Sequence, residues 1–196
     1  LRFSADPAAL ADADVVWVCY DTPVDEEDRA DIEFVIAQVG RLFAHFKPGV
    51  QVLVSSQLPV GSTARLERLL VAARPGLGAG FASVPENLRL GRAIEIFTRP
   101  DRIVVGVRTA EQRPLLGELL KPLTGNLIWM SVESAEMTKH AINAFLATSV
   151  AFINELAGLC EQAGADAGEV EQGLKSDLRI GPRAYLKAGP AFFGGT

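Results

Sequence analysis

The chain is predicted to be an α/β protein with a partial, doubly wound parallel sheet, followed by a domain built on one long helix. Three observations predict it. Over the first two thirds, β-branched runs alternate with amphipathic ones, the signature of a sheet with helices between its strands. The first run, Val15-Val16-Trp17-Val18-Cys19-Tyr20, is apolar throughout, as a parallel strand buried on both faces requires. Beyond residue 131 strand signals stop, and a long apolar stretch of helical character takes over. The expected division is therefore 1–131 and 132–196.

The elements follow in order. After the first strand, Ile32, Val35, Ile36, Val39, Leu42 and Phe43 form one stripe of a helix from about Asp31 to His45, stopped by Lys47-Pro48-Gly49. A strand over Gln51–Ser56 leads through Leu58-Pro59-Val60-Gly61 into a helix over Ser62–Ala73. Further strands are expected at Gly80–Val84, Ile103–Val107 and Leu127–Met130, with a helix over Ala110–Leu120. The next helix, Val132 to Ala163, should measure roughly 45 Å at 1.5 Å per residue and ends at Gly164. Its middle carries Ile142, Phe145, Leu146, Val150, Phe152, Ile153, Leu156, Leu159 and Cys160. That is too many apolar residues for one stripe, so a partner subunit is the expected cover. Asp166 with Glu169 reads as a capping box opening a short helix to about Leu174.

Composition narrows the function classes. With 196 residues and 48% hydrophobic side chains the chain has ample core. A formal charge of -5 without a basic run argues against a nucleic-acid surface. Two cysteines, Cys19 and Cys160, support neither a disulfide framework nor a metal cluster. The N-terminus lacks a secretory pattern, and no run reaches the roughly 18 consecutive apolar residues of a membrane span. The expectation is a soluble, cytoplasmic protein away from membranes.

Ligands of open α/β sheets bind beyond the carboxyl ends of the strands. The polar residues there are Asp21-Thr22-Pro23, Ser55-Ser56-Gln57 and Pro85-Glu86-Asn87. Each group taken singly also reads as an ordinary turn. Glu86, a carboxylate at the edge of an apolar site, is a candidate general base. Lys139 and Asn143 lie four residues apart on the long helix, so an ammonium and a carboxamide share one face, where both can stabilise an oxyanion. A cation near a helix N-terminus opposes the macrodipole, which makes a purely structural lysine less natural there. The pair alone reads equally well as surface residues. No glycine-rich strand-to-helix turn occurs near the start. Gly76-Leu77-Gly78-Ala79-Gly80 precedes a strand, so it cannot form a phosphate cradle at a helix N-terminus. If the fold binds a dinucleotide, its first mononucleotide half lies upstream of Leu1.

Asp21-Thr22-Pro23, Ser55-Ser56-Gln57-Leu58-Pro59-Val60-Gly61-Ser62, Pro85-Glu86-Asn87-Leu88-Arg89, Pro100 to Gly106, Ala135-Glu136-Met137-Thr138-Lys139 with Asn143, Asn154-Glu155, Asp177-Leu178-Arg179-Ile180-Gly181 and Phe193-Gly194-Gly195 form a spaced set. The set resembles the UDP-glucose/GDP-mannose dehydrogenase family, in register through nearly the whole chain. The resemblance implies a Rossmann-like fold. It also implies an NAD-dependent enzyme that oxidises the C6 alcohol of a nucleotide sugar, such as UDP-glucose, to a uronic acid by two hydride transfers.

By that resemblance Asp21, Thr22, Pro23, Ser55 and Ser56 lie along the NAD, and Ser56, where the family usually has Thr, helps position a water. Glu86 serves hydrolytic and proton-transfer steps, while Lys139 and Asn143 stabilise the C6 oxyanion. Asn87, Leu88 and Arg89 belong to the substrate strand end. Arg179 resembles an arginine that reaches a neighbouring subunit's sugar-nucleotide site. The stretch from Tyr185 and Lys187 to Phe193 and Gly194 resembles the loop over the sugar nucleotide. The helix over 132–163 becomes the homodimer helix.

Two departures stand out. Leu90 occupies the position of a second family glutamate, and the family's nucleophilic cysteine would follow Thr196. This chain alone is therefore expected not to turn over. Two other readings stay open. Single-step dehydrogenases of the 6-phosphogluconate and hydroxyacid type are similar in their Lys and Asn at this spacing, and a non-catalytic nucleotide-sugar-binding dimerisation module needs no cysteine.

Overall fold

A computed structural model describes residues 2–27, 29–88 and 91–190. Five strands make one sheet in the order β1-β2-β3-β4-β5. They are β1 (Val15–Val18), β2 (Gln51–Val54), β3 (Gly80–Ser83), β4 (Ile103–Val107) and β5 (Leu127–Ser131). Between and after them run α1 (Ile32–Leu42), α2 (Ser62–Ala73), α3 (Ala93–Thr98), α4 (Arg113–Leu120), α5 (Val132–Ala163) and α6 (Ala167–Ser176). The described residues up to Lys139 form one compact unit and those from His140 onwards a second.

The α/β class is as expected, with one correction of detail. β1, β2 and β3 are parallel, as are β4 and β5, but β4 pairs antiparallel with β3. The register Ala82↔Val107 and Ser83↔Gly106 joins the last residues of both strands, so their C-terminal ends overlap. Among the described residues the connection holds one short helix, α3, of six residues, a rise of about 9 Å, and delivers the chain to the C-terminal end of β3 rather than back to its start. No helix was expected at α3.

Helices cover both faces. Val16 and Val18 of β1, Val52 and Val54 of β2, and Phe81 of β3 pack with α1 (Val35, Ile36, Val39) and α2 (Leu66, Leu70) in one core. On the other face Leu53, Ala82, Val105 and Val107 meet Leu116 and Leu120 of α4. This alternation along each strand is the period-two geometry of a pleated sheet. The predicted helix over 31–45 is α1 closed by a 3-10 turn over Phe43–His45. Arg74 fastens that turn by donating to the carbonyls of Phe43, Ala44 and Phe46 at 2.9, 3.3 and 2.6 Å.

α5 runs unbroken over 32 residues. It is long enough, and apolar enough on average, to cross a membrane, a property that core helices of globular proteins share. Within the second unit it buries Val150, Ile153 and Cys160. It leaves Phe145, Phe152 and Leu159 exposed at 68, 50 and 60%, seven residues apart and hence in one stripe. Asp166 caps α6 by accepting from the Glu169 amide at 2.9 Å.

Candidate functional site

Because β1, β2 and β3 are parallel, their C-terminal ends open on the same edge of the sheet, and short polar links knit the loops that leave them. The Thr22 hydroxyl donates to the Gln57 carbonyl at 2.8 Å, and the Ser56 hydroxyl to the Tyr20 carbonyl at 2.7 Å. The Ser55 hydroxyl donates to the Val84 carbonyl at 2.5 Å and accepts from Trp17 Nε1 at 2.7 Å. Asp21 and Pro23 are exposed beside them. Each hydroxyl thus spends its one hydrogen on a carbonyl. Thr22 is itself buried, Ser56 is half-buried, and Ser55 is engaged from both sides.

Glu86 leaves the end of β3. One carboxylate oxygen accepts from the Leu88 amide at 2.5 Å, which bends the chain back on itself; the other lies 3.5 Å from Lys139 Nζ. The two side chains are 14% exposed for Lys139 and 32% for Glu86, so the ion pair sits at a partly shielded edge that a ligand can reach. Asn87 is half-buried and Leu88 exposed.

Lys139 stands two turns into α5, whose first-turn acid is Glu133. The expected conflict with the macrodipole therefore does not arise, since that field fades beyond the first turn. What places Lys139 is the root of α5. Gly106 of β4 has no side chain, and a Cβ there would stand 2.6 Å from Ala135 Cβ and 2.8 Å from Val132 Cα. Glycine lets the first turn of α5 lie flush on the sheet.

Two electrostatic ties fix that turn laterally. Arg108 bonds Glu67 of α2 at 2.7 Å and Glu133 of α5 at 2.5 Å. Glu133 is held below the ordinary glutamate value by that hydrogen bond, and Arg108 is raised by its bonds to Glu67 and then Glu133. Buried Glu136 accepts from the Gly61 amide at 2.7 Å and the Thr63 amide at 3.0 Å, one carboxylate oxygen each. Gly61, at φ 93°, is the left-handed N-cap of α2, a conformation natural to glycine.

Most of the other sequence candidates belong to the second unit. Asn143, half-buried, is four positions beyond Lys139 on α5. Arg179 is exposed and paired with Asp177 at 2.6 Å; the arginine's hydrogen bond holds Asp177 below the ordinary aspartate value. Tyr185 and Lys187 are exposed. Their segment is anchored by Asn154, which donates to the Gly189 carbonyl at 3.0 Å and accepts from its amide at 2.9 Å. Arg89, Leu90, Phe193 and Gly194 lie outside the described residues. Glu136 and Asn154 are structural keys that no role was read for; their polar heads on an apolar helix were the available signal.

The donor set fits one part of a dinucleotide. With its hydrogen given to the Tyr20 carbonyl, the half-buried Ser56 hydroxyl keeps lone pairs suited to an amide or a ribose hydroxyl. The amides at the start of α2, which could otherwise hold phosphate, are taken by Glu136. The turn over Gly76 and Gly78 precedes β3 and forms no cradle. The edge is thus suited to the nicotinamide side of such a cofactor rather than to its diphosphate.

Hydroxyls on the loops that leave the parallel strands and a lysine–glutamate pair past the end of β3 are polar groups of this unit. The sequence matches the UDP-glucose/GDP-mannose dehydrogenase family in two parts: its NAD binding domain over residues 1–124 and its central domain over residues 133–196. The chain belongs to this family. It is 37% identical over 202 aligned positions to the UDP-glucose 6-dehydrogenase of Pseudomonas aeruginosa, covering 99% of this chain and 44% of that protein. Its structure resembles that of a UDP-glucose dehydrogenase from Pyrobaculum islandicum, with TM-score 0.86, 32% identity, and coverage of 98% and 45%. A ternary complex of GDP-mannose dehydrogenase from Pseudomonas aeruginosa gives TM-score 0.79 at 26% identity, with coverage of 98% and 46%. The chain spans less than half the length of these relatives.

Proposed function

We propose that the full-length protein is an NAD-dependent 6-dehydrogenase of a nucleotide sugar, with UDP-glucose as the first substrate to test. The observation that carries this reading is the Lys139 ammonium 3.5 Å from the Glu86 carboxylate, just past the C-terminal end of β3. Bound NAD supplies the hydride acceptor. The chain's own groups supply the proton and charge handling. Lys139 donates towards the C6 oxygen as negative charge builds on it, Asn143 adds a carboxamide donor, and Glu86 takes up the proton of the C6 hydroxyl or of the attacking water. Thr22, Pro23 and Ser56 line the cofactor, with Asp21 and Ser55 behind them. Asn87, Leu88 and Arg89, with Arg179, Tyr185, Lys187, Phe193 and Gly194, hold the sugar nucleotide.

The working unit in this reading is a cytoplasmic homodimer. Residues 1–131 form the cofactor domain, and the helix over 132–163 in the second domain makes the dimer contact. The uncovered stripe Phe145, Phe152 and Leu159 supports that assembly.

Stoichiometry tests the reaction. The full-length protein given UDP-glucose and excess NAD should form about two NADH per sugar consumed, since an alcohol passes through an aldehyde to an acid. One NADH per sugar would assign a single-step dehydrogenase, and binding without turnover a non-catalytic module; either result rejects the proposal.

A further inference from the structure

We propose that Glu136 is a positioning residue for Lys139. It couples the root of α5, and with it the Lys139–Glu86 pair, to the loop that carries Ser56. This inference rests on the reading above only for its kinetic consequence.

A buried carboxylate is costly unless its oxygens are satisfied. Those of Glu136 accept from Gly61 N and Thr63 N, one on each oxygen and both charge-assisted. The two amides begin α2, whose positive end favours an anion. Gly61 also ends the loop that leaves β2 through Ser55 and Ser56. Glu136 therefore grips the far end of the loop whose near end holds Ser56 to Tyr20. Lys139 lies three residues on along α5, on the adjoining helical face. Moving Glu136 moves Lys139 away from Glu86, because the intervening helix turn is stiff.

Glu136→Gln tests this with little change in volume. The amide keeps one acceptor but turns its NH2 group towards the second backbone N–H, so one bond is lost. In the full-length protein, Lys139 is labelled with trinitrobenzenesulfonate and read by peptide mass spectrometry, alongside hydrogen exchange at Gly61 and Thr63. The variant should label at Lys139 about tenfold faster, the factor one charge-assisted bond carries, and its Gly61 and Thr63 amides should exchange faster. Per NAD-binding site, kcat should fall by about tenfold to a hundredfold, as expected of a misplaced catalytic group, while KM for the sugar nucleotide changes by less than about twofold.

Arg74→Ala is the control, since it loses carbonyl contacts at the other end of α2. It should lower the melting temperature and leave Lys139 labelling and kcat per site as in the wild type. Unchanged labelling in Glu136→Gln, or equal labelling in both variants, overturns the proposal. So does faster labelling with unchanged kcat in an active wild type. A wild type that does not oxidise nucleotide sugars defeats the functional reading instead, and the labelling comparison then decides the role of Glu136 on its own.

Discussion

At the scale of single residues, Lys139 and Ser55 make opposite predictions. Lys139 faces a carboxylate and a ligand-accessible edge. Lys139→Ala should therefore reduce kcat on the order of a hundredfold to a thousandfold, as removal of an oxyanion donor does, with little loss of melting temperature. Steady-state kinetics and thermal unfolding of the same sample check both halves. Ser55 is held by Trp17 and the Val84 carbonyl. Ser55→Ala leaves a part-buried indole N–H without its acceptor and should cost about 1–3 kcal/mol, measured by denaturant unfolding. The spacing of Lys139 and Asn143 was legible because helical periodicity is local. The partners of Glu136 were not: they are backbone amides 75 and 73 residues earlier in the chain, and no residue pattern announces an amide.

At the scale of elements, the seat of α5 on β4 is the sensitive joint. Gly106→Ala would place a Cβ 2.6 Å from Ala135 Cβ and 2.9 Å from the Ser131 carbonyl. Overpacking of this kind costs about 1–3 kcal/mol, so the melting temperature should fall, and activity should fall further because Lys139 rides on the displaced turn. The tie through Arg108 adds a pH signature. Glu133 is depressed by its hydrogen bond to Arg108, so its contribution is complete above the ordinary glutamate value and fades as pH falls through the lowered folded value. Its side chain is 46% exposed, and solvent screening keeps the effect small. Melting temperatures followed from neutral pH into the acid range should drop less steeply for Glu133→Gln than for the wild type; parallel curves would exclude the tie as a stabilising one. Most elements were legible from periodicity and stop signals, and α2 and α5 have the bounds expected. α3 was not, because six residues are fewer than two helical turns, too few for a 3.6-residue period to show in the sequence.

At the scale of the whole molecule, the stripe Phe145, Phe152 and Leu159 is an apolar row on one helix that a single chain leaves uncovered. Under the proposed homodimer, Phe152→Glu places a charge in the contact. It should convert the full-length protein to a monomer in sedimentation analysis, with the fold retained by circular dichroism. A wild type that is already monomeric would remove the dimer from the proposal.

The sequence by itself determined the α/β class, the register of spaced motifs that ties the chain to its family, and the chemical types at the strand ends. All of these are carried by local periodicity and residue identity. Only the tertiary structure decided that β4 runs against β3, that the start of α2 is filled by Glu136, and that Lys139 meets Glu86. These depend on contacts between residues far apart in the chain. A strand's pattern is the same in either direction, and a carboxylate's partners are set by where the backbone folds to meet it.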